Sequence, residues 1–161
     1  MSEYPSIAQL IPHRDPMILL DEMLEWSKGR AQCGLVVKEG ARFVEEGVLA
    51  TPFLMEHMAQ AVAVCLGYEA FKGGRGVTVG MIVSCRTFNA HVAEARVGDR
   101  LVISAEQKRA NASVSAFDCG VDRISGSGEV DRSCIAEATL TLFHGDLRDP
   151  PREPVASGSA G

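Results

Sequence analysis

PFLMEHMAQAVAV, residues 52–64, is the stretch whose reading decides the fold. Thr51 before it is a good N-cap, and Pro52 suits a first helical position. The spacing predicts a helix from Phe53 to about Phe71, ending at Lys72-Gly73-Gly74. Between Phe53 and Gly67 the side chains able to make strong hydrogen bonds are Glu56, His57 and Gln60. A helix apolar on nearly all sides is buried on nearly all sides. An ionised carboxylate inside it is costly unless it is paired or hydrogen-bonded. Glu56 is expected in the second turn of this helix, facing a cleft, with Gln60 as its nearest in-chain partner at i+4.

The flanks read as strands. MILLDEMLEW (17–26) and RAQCGLVVK (30–38) are extended runs joined by the turn signal SKG, a hairpin pattern. EGARFVEEGVLAT (39–51) is irregular. Four strands are expected after the helix. In GVTVGMIVSCRTFN, residues Val77, Val79, Met81 and Val83 alternate; in DRLVISAEQKR, Leu101, Ile103 and Ala105 do so. SVSAFDCGV (113–121) shifts phase between Ala116 and Phe117, as at a bulge. SCIAEATLTLF alternates Ala136, Ala138, Leu140 and Leu142. PSIAQLI (5–11) suits one short helical turn, broken by PHRDP (12–16). One twisted antiparallel sheet wrapping a central helix, an α+β fold, accounts for this order. A second subunit is the economical cover for the helix's other side.

The chain has 161 residues, enough for one domain with a real core. Residues 1–146 are assigned to that domain. Residues 147–161, rich in Pro, Gly, Ser and charge, are expected to be a disordered tail. No apolar run reaches the roughly 18 residues needed to span a bilayer. The N-terminus lacks a basic stretch followed by an apolar one, so a cytoplasmic location is expected. A net charge of −5 argues against nucleic-acid binding. Neither a GxxxxGKS/T phosphate loop nor a GxGxxG fingerprint occurs, and no cofactor is called for. Cys33, Cys65, Cys85, Cys119 and Cys134 are widely spaced, without CxxC or zinc-type spacing. They are read as reduced, mostly buried thiols, and no metal is expected.

Three stretches carry a family resemblance. LIPHRDPMILLDEM (10–23) resembles the opening of the hotdog-fold 3-hydroxyacyl-(acyl carrier protein) dehydratases, whose pattern is close to L-P-H-R-x-P-F/M-L-L. LMEHMAQAVAV (54–64) resembles their E-x-x-A-Q helix, and VGDRLVISAEQKR (97–109) their P-G-D-x-L strand entry. The order and approximate spacing match over about residues 5–144. More narrowly, the chain is similar to the dehydratase-like proteins of aryl-polyene pigment clusters. The resemblance implies a hotdog fold, a dimer built on a continuous sheet and an acyl tunnel at the subunit interface. It implies a carrier-bound acyl substrate, and a role in fatty-acid or polyketide synthesis.

Dehydration of a 3-hydroxyacyl thioester needs a base at C2 and an acid for the departing C3 hydroxyl. The thioester oxygen needs hydrogen-bond donors, which a helix N-terminus offers. In the family a loop histidine and a helix Asp or Glu share this work, and Glu56 matches the helix acid. The family's loop histidine stands about fourteen residues before the acid in its pattern. Here the corresponding stretch, RFVEEGVLATP (42–52), holds no histidine. His57 points about 100° away from Glu56 on the helix and is read as a satisfied, packed histidine. His13 is read as a loop residue that caps the first helix and orders the N-terminal turn. His57, His13 and Gln60 are candidates for lining or supporting the tunnel. His91 is expected to face solvent, and His144 to end the last strand. Arg86, Arg96, Arg100, Lys108 and Arg109 could dock an acidic carrier protein; scattered solvated charges are the plain alternative. Three functions stay open: a dehydratase with Glu56 as acid, a pseudo-dehydratase paired with an active histidine-bearing homologue, and a hotdog thioesterase; the assembly is expected to be a homodimer or a heterodimer with a related dehydratase.

Overall fold

The computed structural model describes residues 3–77, 80–125 and 131–143. The expected tail and His144 lie outside them. No helix among the described residues is long and apolar enough to cross a membrane.

A long helix, α2 (Leu54–Lys72), follows a single 3₁₀ turn at Thr51–Phe53. It lies against an antiparallel six-stranded sheet: β1 (Glu22–Ser27), β2 (Arg30–Val36), β7 (Arg100–Ala110), β8 (Val114–Ser125), β9 (Asp131–Phe143) and β5 (Met81–Ala90), in that spatial order. A short helix, α1 (Ile7–Leu10), packs on α2. The core joins Met58, Val62 and Cys65 of α2 to Ala31, Cys33, Leu101, Ile103, Phe117, Val121, Leu140 and other sheet residues. The hotdog arrangement of one helix wrapped by one sheet is thus present.

Several local expectations are corrected. Thr51 does not cap α2: its hydroxyl donates to the Val92 carbonyl at 2.6 Å, tying the helix entry to the loop after β5. Helix α2 starts one residue later than expected, so Glu56 stands in its first turn. Residues 17–21 are not strand; only the second half of MILLDEMLEW pairs. The irregular stretch 39–51 contains a hairpin, β3 (Val44–Glu45) and β4 (Val48–Ala50), which β6 (Glu94–Arg96) completes as a three-stranded sheet. Its turn, Glu46-Gly47, has φ of 50° and 77°, the left-handed geometry that two-residue hairpin turns use.

The phase of β8 does not shift. Ser115, Phe117, Cys119 and Val121 all face the core, and Ser115 is satisfied by Gln107 Nε2 at 3.0 Å. The bulge lies on the neighbouring strand, at Lys108 of β7. Strand β5 departs most. Two extra residues, Val83 and Arg86, interrupt its pairing with β9. Its residues opposite core-facing Leu142, Leu140, Ala138 and Ala136 are therefore Ile82, Cys85, Phe88 and Ala90. Met81 and Val83, expected on the buried face, are each 54% exposed. Of the five thiols expected to be mostly buried, Cys85 and Cys134 are exposed. Cys33, Cys65 and Cys119 are buried, and burial pushes each thiol up to about 12.

Candidate active site

The site grows out of one face of α2. Glu56, Gln60, Ala63 and Gly67 recur at helical spacing and lie on one side. Gln60 is fully buried and uses both ends of its amide. Its Oε1 accepts from the Leu19 N–H at 2.9 Å, and its Nε2 donates to the Met17 carbonyl at 2.7 Å and to Glu56 Oε1 at 3.1 Å. Two turns on, Gly67 lets the Leu10 carbonyl rest against the helix where a Cβ would collide with it.

The chain from Leu10 to Leu19 is thus pinned at both ends, and it arches over α2 between the pins. Arg14 stiffens the arch: Nη1 donates to the carbonyls of Ala8, Ile11 and His13. The capping work expected of His13 is done by Arg14. His13 is left free to turn inward, and its Nε2 lies 3.5 Å from Glu56 Oε1. That separation is longer than a tight hydrogen bond. His13 and Glu56 side chains are 29% and 34% exposed, so both can meet a ligand. Nδ1 of His13 is buried with no partner among the described residues.

The pair sits at one end of a cleft of about 270 Å³ whose other walls are mainly apolar: Ala59, Ala63, Leu66, Met81, Ile82 and Leu142, with Gly67 and Gly80. Two acid–base groups at the head of an apolar slot suit proton transfer on an acyl chain. The α2 entry offers no spare donor at Leu54, whose N–H is already bonded to the Thr51 and Pro52 carbonyls of the 3₁₀ turn.

His57 turns elsewhere. It is 3% exposed, and its Nδ1 bonds the Phe53 carbonyl at 2.9 Å, which requires the proton on that nitrogen. It borders a separate cleft with Asp15, Pro16, Lys38 and Arg42. Burial pulls its pKa below the ordinary histidine value, against the upward pulls of the Phe53 carbonyl and the Glu56 charge. His91 is exposed beside Glu137. Of the basic residues, Arg86, Lys108 and Arg109 share an outer-sheet cleft with Asp118. Arg96 pairs with Glu94, and Arg100 lies elsewhere beside Arg132. Sequence reasoning missed Arg14 and the cleft walls. The signals were a helix-interior glycine at Gly67 and the small pair Ala59 and Ala63 on the face of Glu56.

Comparison with known proteins places the chain in a family. The family model of the ApeP-like proteins, described as ApeP dehydratase, matches residues 5–151. The chain belongs to the ApeP-like dehydratase family. The 3-hydroxyacyl-(acyl-carrier-protein) dehydratase FabZ of Gluconobacter oxydans is 30% identical to this ApeP-like chain over 144 residues, covering 85% of the chain and 79% of that protein. FabZ of Bacillus velezensis is 28% identical over 152 residues, 91% of the chain and 100% of that protein. A structure of the dehydratase heterocomplex ApeI:P from Xenorhabdus doucetiae superposes with a TM-score of 0.80 at 20% identity, covering 90% of this chain and 94% of that one. That likeness establishes the shared hotdog fold.

Proposed function

We propose that this ApeP-like protein dehydrates 3-hydroxyacyl thioesters presented by an acyl carrier protein, with His13 and Glu56 of one chain as its acid–base pair. The supporting observation is the 3.5 Å approach of His13 Nε2 to Glu56 Oε1 at the head of the apolar cleft. The acyl chain lies along Ala59, Ala63 and Leu66, and C2 and C3 meet the pair. His13 Nε2 takes the C2 proton, and protonated Glu56 gives its proton to the C3 hydroxyl, which leaves as water. The C2–C3 double bond forms from the released electron pair. His13 then holds a proton and Glu56 lacks one; transfer between the two neighbours resets the site.

In this reading His13 supplies the imidazole that residues 42–52 lack. The biosynthetic setting is fatty-acid or polyketide synthesis, aryl polyenes in particular. The carrier docks through Arg86, Lys108 and Arg109, and the working unit is a homodimer or a heterodimer with a related dehydratase. Interconversion of a 3-hydroxyacyl and a 2-enoyl carrier substrate tests the chemistry. Glu56→Gln and His13→Gln are each expected to lower turnover about 10²- to 10⁴-fold, the usual contribution of a positioned acid or base. Unchanged turnover in both variants sinks the assignment. A protein inactive alone but activated by a histidine-bearing partner, with activity indifferent to His13, would favour the pseudo-dehydratase reading.

A further inference from the structure

Away from the cleft, three side chains that commonly ligate transition metals meet at the surface. His91 follows the end of β5, while Cys134 and Glu137 lie on β9. One ligand atom from each lies within 4.8 Å of the others. Sequence spacing hides the group, because the fold alone brings His91 to β9.

The backbone explains the meeting. Along an unbroken strand, residues three apart point to opposite faces. On β9, Ala136 pairs with Val121 but Cys134 pairs with Asp122, so Ile135 is an extra residue. That bulge returns Cys134 to the face of Glu137: both are exposed, while Ile135 and Ala136 are buried. The same bulge anchors the third group, because the His91 N–H donates to the Ile135 carbonyl at 2.9 Å. All three side chains therefore project from backbone fixed by the sheet. His91 Nε2 stands 3.2 Å from Glu137 Oε1, and Cys134 Sγ lies 3.6 Å from the Ala136 carbonyl.

We propose that His91, Cys134 and Glu137 form a surface site for a borderline transition-metal cation, zinc first, with water in the fourth position. Thiolate, imidazole and carboxylate together are a donor set that zinc accepts. Metal–ligand bonds of about 2.0–2.3 Å hold tetrahedral ligands roughly 3.3–3.8 Å apart. Rotation of exposed side chains closes the present spacing to that value. The carboxylates of Glu137 and Asp122 near Cys134 also suit a cation. On binding, Cys134 releases its thiol proton to water. The imidazole nitrogen facing Glu137 takes the metal as a bare lone pair. A surface His–Glu pair with a chance cysteine beside it would hold no ion tightly.

The site is independent of dehydration, and its test does not read activity. Chelator-stripped protein is titrated with Co²⁺, then with Zn²⁺. One cobalt per chain is expected, with a thiolate-to-cobalt charge-transfer band that zinc bleaches. Zinc should also raise the unfolding temperature, since an ion that binds only the folded state stabilises it. Cys134→Ser should abolish the band, and His91→Ala should weaken affinity at least about tenfold. Cys85→Ser, which removes the other exposed thiol, should change neither. No thiolate band in the unmutated protein, a band that survives Cys134→Ser, or one lost in Cys85→Ser overturns the proposal.

Discussion

At the scale of single residues, neighbours on α2 have opposite duties because a helix turns about 100° per residue. Glu56 meets the cleft and His13; His57, one position on, is sealed against the Phe53 carbonyl beside another cavity. The rotation, and hence the exclusion of a Glu56–His57 dyad, was legible from sequence. The rise of His13 was not, because it depends on contacts between the arch and α2 that are far apart in the chain. His57 carries a prediction of its own. Its folded pKa lies below the ordinary value of 6.5, with burial the leading cause. Below pH 6.5 the unfolded chain takes up a proton there that the folded chain resists, so acid favours unfolding. His57 stability is therefore fully present above pH 6.5 and is lost as pH falls toward the depressed folded value. Urea unfolding across that window should show stability falling in the parent. In His57→Asn, whose side-chain amide can still donate to the Phe53 carbonyl, the fall should be shallower. An unchanged slope would mean that His57 does not titrate differently in the two states.

At the scale of elements, the His13–Glu56 contact depends on how α1 and its following arch sit on α2. Gly67 is the contact point, and glycine in a helix interior costs about 0.5–1 kcal/mol relative to alanine. Elsewhere Gly67→Ala would be stabilising; here the new methyl would strike the Leu10 carbonyl. Backbone cannot yield as a flexible side chain does, so a loss of about 1–3 kcal/mol is expected, the usual cost of overpacking. Because Leu10 begins the arch, His13 should shift as well. Gly67→Ala should thus lower both the urea midpoint and dehydration turnover, while Gly74→Ala, at the loose helix end, should spare turnover. Full activity with parental stability would show that the arch has another support. Gly67 was readable as an anomaly in the helical pattern, but its partner was not. Strand β5 teaches the same limit: its valine alternation is real in sequence, yet the extra residues Val83 and Arg86 shift the register, and Ile82 and Phe88 become its part-buried positions. A bulge is set by the partner strand's register, which no local pattern contains.

At the scale of the whole molecule, one chain leaves its helix and its sheet incompletely covered on the same side. The stripe Glu56, Ala59, Ala63 and Leu66 is only half-buried along the cleft, and Met81 forms part of the cleft wall. Strand β5 stands at the sheet's edge, with Met81 and Val83 each 54% exposed. Ten residues of unpaired edge run about 33 Å at roughly 3.3 Å per residue. An exposed apolar edge of that length invites another chain. A second hotdog subunit laid along β5 would cover the edge and close the cleft into a tunnel, which ties assembly to catalysis. Val83 tests this without touching the cleft, since it is not among the residues lining it. Val83→Lys places a charge on the exposed side of β5 and should leave the monomer's core intact. Light scattering coupled to size exclusion should give a dimer mass for the parent and a monomer mass for the variant at equal concentration. Dehydration should fall with the dimer fraction, recovering as protein concentration rises, because an open cleft holds the acyl chain less well and lets water reach the His13–Glu56 pair. A Val83→Lys chain that stays dimeric, or a monomer that keeps full turnover, would place the interface elsewhere and free the cleft from any need of a partner.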